Sequence, residues 1–120
     1  MKGLIQMALA QSVLAEVLAE RMRQIEKFGD QVYPLFSTAV IENSKPGQVH
    51  RWFSLPCEAD AKMEVDMDAA AGVTSFFPIL LEEVCEVAGA AHDIQQARRE
   101  LIQVAAVAVA AIQSIDRKLQ

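Results

Sequence analysis

The sequence predicts an all-α fold, a bundle of four to five helices that associates with copies of itself. Three observations carry the helical reading. Apolar residues recur every three or four positions through most of the chain, which is the spacing of one helix face. Alanine is abundant while aromatic residues make up only 6%, a composition that favours closely packed helices over a sheet. No stretch alternates apolar and polar residues over a strand's length, and no hairpin turn pair separates two such stretches. With 120 residues, 52% hydrophobic and 22% charged, the chain is expected to form one globular domain, 1–120, around a single core.

The first helix is expected from Gly3 to Phe28. Leu14, Leu18, Met22 and Ile25 recur at helical spacing, with Val17 and Phe28 nearby, and Gly29-Asp30 ends it. Gln6, Gln11, Glu16 and Glu20 interrupt its apolar stretch, so it reads as a mature amphipathic helix rather than a signal peptide. The segment from Asp30 to Pro56 contains Pro34, Pro46, Gly47 and Pro56. It is long for a loop in a compact domain, which marks it as functional, mobile or partly helical. Residues 29–57 are accordingly expected to be a variable loop region. A short helix follows over Glu58–Ala71. The next opens at Thr74 or Ser75 as N-cap, with Pro78 in the first turn where its missing N–H costs little. It runs to Ala88, and Gly89 ends it. The last helix has Asp93 as N-cap and Gln96 three residues on, a capping-box pattern. It extends from Ile94 to Lys118, with Arg117 and Lys118 at the negative end of its dipole. The turn between these last two helices is short, which makes them antiparallel neighbours.

The net charge is −5 and no Lys/Arg block occurs, which argues against nucleic-acid binding through a basic face. Cys57 and Cys85 lack CxxC spacing and suggest reduced thiols in a cytoplasmic protein. The run Val104–Ile112 is about half of what a bilayer needs, and no membrane association is expected.

The carboxylates of the last two helices stand out. Successive helical residues advance by about 100°, so Glu83 and Glu86 lie about 60° apart, Glu82 and Glu86 about 40° apart, and all three can share one patch. Glu100 and Gln103 stand in an i, i+3 relation on the facing helix. Leu80, Leu81, Val84, Val87 and Ala88 occupy much of the circumference around the first group, leaving only a narrow polar sector. Carboxylates gathered at this density repel unless protonated or bridged by cations, and hard divalent ions such as Mg²⁺ or Mn²⁺ take such oxygens. A solvated acidic face is the alternative.

These residues also carry a family likeness. Glu82-Glu83-Val84-Cys85-Glu86 fits an EExxE motif, and Glu100-Leu101-Ile102-Gln103 follows where the family has ExxD. Upstream, "ERMRQIEKFGDQ" is similar to an "ERxRQxxKWGxQ" stretch, and "EADAKMEVDMDAAAGVTSFFPILLEE" is similar as well. From Val13 to Arg117, apart from Tyr33–Pro56, the chain resembles MazG-like nucleotide pyrophosphohydrolases of the small phage and bacterial type, in the all-α NTP pyrophosphatase superfamily. The resemblance implies a MazG-type fold and cleavage of a (d)NTP to the (d)NMP and pyrophosphate, for nucleotide-pool control or house-cleaning. It implies Mg²⁺ or Mn²⁺ held by Glu83, Glu86 and Glu100, with Glu82 binding a further ion or orienting the water. Gln103 stands where the family has Asp; its amide oxygen can ligate but cannot act as a base. Arg23, Gln24, Lys27, Phe28 and Gln31 are the substrate-binding candidates, with Trp52 as a second aromatic for stacking on the base. The family forms dimers and tetramers, and the apolar faces of the first and last helices point the same way. The competing reading is a nucleotide-binding or helical interaction module of the same fold, impaired in catalysis through Gln103.

Overall fold

The computed structural model describes residues 2–118. Every regular element among them is a helix: α1 Lys2–Phe28, α2 Thr38–Asn43, α3 Val49–Trp52, α4 Glu58–Ala70, α5 Phe76–Gly89 and α6 Ile94–Lys118. The four long helices stand where the sequence places them. The two short ones fall inside the Asp30–Pro56 segment and raise the count above the expected four to five. The chain divides into two compact units, residues 2–34 with 108–118, and residues 35–107.

In the unit of residues 35–107, α5 packs against α4 and α3. Helices of six and four residues are far too short to persist alone, so α2 and α3 depend on what they bury. Val40 and Val49 form a buried cluster with Ala88 and Ala91 at the end of α5, and Phe36, Ile41 and Leu55 close around it. Ser37 caps α2, its hydroxyl accepting from the Val40 N–H at 3.3 Å. Nε2 of His92 donates to the carbonyl of Ile41 at 3.1 Å, tying the α5–α6 turn to α2. The acceptor is a carbonyl, so Nε2 carries the hydrogen. Ala61 on α4, Cys85 on α5 and Ala97 on α6 are all buried. The small side chains of Ala61 and Cys85 suit the close packing of α4 on α5.

Two helix ends repay comparison with the sequence. Asp93 caps α6 as expected, its Oδ1 accepting the Gln96 N–H at 3.2 Å. Gly89, expected to end α5, is its last helical residue, and Ala90 takes the C-cap position. The space over Gly89 is filled by the carboxylate of Glu58, where a Cβ would collide with it.

In the unit of residues 2–34 and 108–118, α1 buries only Val13. Nε2 of Gln113 donates to the backbone carbonyl of Gln6 at 3.4 Å. A cavity of about 560 Å³ is lined by Ile5, Leu9, Val13 and Gln113, with Glu16 and Arg117 among its polar residues. Gly29 ends α1 with φ +68°, its N–H bonded to the Ile25 carbonyl at 2.8 Å. Leu14, Leu18, Met22, Ile25 and Phe28, the periodic residues that predicted the helix, are exposed. By length and composition alone α1 is also long and apolar enough to cross a membrane, with a mean hydropathy of 1.2 over 18 residues.

A candidate metal centre between the last two long helices

Glu83 and Glu86 come from the middle of α5, and Glu100 from the second turn of α6. Each is half-buried, and one carboxylate oxygen from each lies within 4.8 Å of the others. The arrangement follows from local sequence. The four residues Ala90–Asp93 reverse the chain, and the Asp93 cap fixes where α6 begins. Glu100 is then two turns into its helix, opposite the acids of α5.

The electrostatics of the trio are those of a site lacking positive charge. Glu86 is pushed from an ordinary 4.5 up to about 8. Burial is the largest cause, followed by the hydrogen bond to Glu100 and by the charge and hydrogen bond of Glu83. At neutral pH Glu86 holds a proton between its two neighbours, as like charges at this range require. Oε2 of Glu83 is buried and has no hydrogen-bond partner, although buried carboxylate oxygens are ordinarily satisfied. Glu100 is better provided for: Nε2 of Gln96 donates to its Oε1 at 2.5 Å. Cys85, between the acids in sequence, is fully buried. Its thiol is pushed up by burial, then by the charges of Cys57, Glu58 and Glu86, so it stays protonated and acts as a small apolar side chain.

The other candidate residues fall in several places. Glu82 is half-buried on α5 and is not one of the trio. Gln103 is exposed one turn beyond Glu100, and no hydrogen bond to its side chain occurs among the described residues. Arg23, Gln24, Lys27, Phe28 and Gln31 belong to the other unit, at and beyond the end of α1. There Arg23 pairs with Glu20 at 2.5 Å, and Gln24 accepts from Arg21 at 2.7 Å. The Lys27 ammonium sits 5.2 Å from the centre of the Phe28 ring. Trp52 belongs with residues 35–107, and is exposed beside Lys45, Gln48 and Arg51 around a cavity of about 650 Å³. Lys45 and Arg51 were not singled out in the sequence. Neither this cavity nor the one along α1 is lined by the carboxylate trio.

Gln96 is the residue of the centre that sequence reasoning missed. Its spacing from Asp93 marked it as a capping residue, and its place four residues before Glu100 was the available signal.

The trio could hold one metal ion. Oxygens each about 2.1 Å from one ion are at most about 4.2 Å apart, close to the 4.8 Å within which these three oxygens lie. The partnerless Glu83 oxygen and the shared Glu86 proton are the features a cation would resolve. Compared with protein-family models, curated proteins and solved structures, the chain matches none.

Proposed function

We propose that this protein is a metal-dependent nucleoside triphosphate pyrophosphohydrolase of the MazG-like kind, cleaving a (d)NTP to the (d)NMP and pyrophosphate. The observation that carries the reading is the meeting of Glu83, Glu86 and Glu100 across two helices, with one buried oxygen lacking a partner. The order of the EExxE and Glu100-Leu101-Ile102-Gln103 segments supports the same class.

Glu83, Glu86 and Glu100 would hold Mg²⁺ or Mn²⁺. The ion supplies charge neutralisation for the phosphates and makes water nucleophilic at neutral pH. With a cation bound, Glu86 would give up its proton and the orphaned oxygen of Glu83 would have a partner. Glu82, half-buried on the same helix, orients the attacking water. The family likeness alone assigns the substrate contacts, among which Lys27 would offer a point charge to phosphate. Arg23 supplies a second cation, Gln24 and Gln31 offer amides for a base edge, and Phe28 or Trp52 an aromatic face.

The trio is lined by neither of the two cavities named above, and α1 leaves a row of large apolar residues exposed. The exposed row supports a homodimer or homotetramer that covers it. The exposed Gln103 in place of an aspartate favours one other reading, a nucleotide-binding module of the same fold that does not turn over.

Incubation with a panel of NTPs and dNTPs plus Mg²⁺ or Mn²⁺, with assay for pyrophosphate, tests the proposal. Release is expected with at least one nucleotide, and should vanish in Glu86→Gln and Glu100→Gln while far-UV circular dichroism stays native. Absence of pyrophosphate with every nucleotide would sink the enzyme, and nucleotide binding without release would establish the module.

A further inference from the structure

Glu100 is held by a chain of hydrogen bonds that runs along α6 to a cation. Nε and Nη2 of Arg99 both donate to Oε1 of Gln96, at 3.0 and 2.6 Å. The Gln96 amide then donates from Nε2 to Oε1 of Glu100 at 2.5 Å. An amide can usually be turned over, exchanging its oxygen and nitrogen. Here it cannot, because a guanidinium only donates. Arg99 must face the amide oxygen, so the NH₂ group must face Glu100.

We propose that Gln96 and Arg99 are positioning residues of the carboxylate centre, holding Glu100 Oε1 in place so that the rest of its carboxylate is presented to Glu83, Glu86 and a shared divalent cation. The inference rests on the metal-centre reading above. It assigns a role to two residues outside the EExxE and Glu100–Gln103 segments. Neither touches the ion or the substrate; both act through Glu100. Partners of this kind typically change metal affinity 10- to 100-fold.

The sign of the Arg99 effect separates a hydrogen-bonded relay from bulk charge. Arg99 is exposed, and a nearby positive charge repels a cation. On charge alone, Arg99→Ala would tighten Mn²⁺ binding, whereas the relay requires it to weaken. Gln96 meets the Asp93 cap only through its backbone N–H, so Gln96→Leu keeps the cap, and circular dichroism checks the fold.

Mn²⁺ binding to the full chain, read by electron paramagnetic resonance of the free ion, needs no substrate or turnover. Gln96→Leu is expected to weaken binding about tenfold. Arg99→Ala should weaken it less, and should have no further effect when Gln96 is already Leu. Arg99→Lys keeps the charge without the fork and should fall between wild type and Arg99→Ala. Gln95→Leu, at the exposed neighbouring position, should match wild type. If Glu100→Gln loses affinity while Gln96→Leu does not, or if Arg99→Ala tightens binding, the relay is overturned and the metal centre stands. If wild type binds no more Mn²⁺ than Glu100→Gln, the centre falls and the relay with it.

Discussion

Glu86 concentrates the chemistry of this chain in one group. Its folded value of about 8 lies above its ordinary 4.5, so between those pH values the folded state keeps a proton that the unfolded state releases. For a carboxyl shifted upward, the associated stability is fully present near and below pH 4.5 and is lost as pH rises toward 8. Denaturant melts of metal-free protein at pH 5, 6.5 and 8 should show wild type losing stability relative to Glu86→Gln; parallel profiles would refute the assignment. Gln103 makes the contrasting case. It is exposed and lacks a side-chain hydrogen bond among the described residues, so Gln103→Ala should keep pyrophosphate release within a few-fold of wild type. Loss as complete as in Glu100→Gln would make Gln103 a ligand after all. At this scale the sequence was informative about residue identity and less so about grouping. The i, i+3 and i, i+4 relations allowed all three α5 acids to share a patch. Which of them meet Glu100 depends on the rotation of α5 against α6, and that rotation selected Glu83 and Glu86.

The helices were legible in proportion to their length. α1, α4, α5 and α6 carry enough turns for periodicity and end signals to reinforce one another, and their ends fall within a residue or so of expectation. α2 and α3 carry one or two turns each. Their apolar residues are fixed by the buried contacts of Val40 and Val49 with Ala88 and Ala91, which a local pattern does not reveal. Gly89 does end α5, although the C-cap that follows it is Ala90 and not a left-handed residue. The α6 cap is the element on which the site depends most directly, since it sets where Glu100 falls. Asp93→Ala should cost about 1 kcal/mol of stability. Urea unfolding of the two proteins measures it, and an unchanged midpoint would show that the cap contributes little.

For the whole molecule, the exposed row Leu14, Leu18, Met22 and Ile25 is the feature with the largest consequence. These are the residues whose spacing predicted α1, yet within this chain they remain uncovered. Sedimentation equilibrium should find a dimer or tetramer, and Leu18→Glu with Met22→Glu should shift it toward monomer with helicity retained. A wild-type monomer at micromolar concentration would remove self-association as their cover.

What the sequence by itself determined is the helical class, the four long helices and the acidic residues placed on two of them. Those features follow from side-chain spacing and end chemistry, which are local. Only the tertiary structure decided which three carboxylates share a volume and that the central segment folds as two short helices against the end of α5. Each of these depends on the distance and rotation between elements, or on the rotamer a side chain adopts once packed, and no spacing along the chain encodes them.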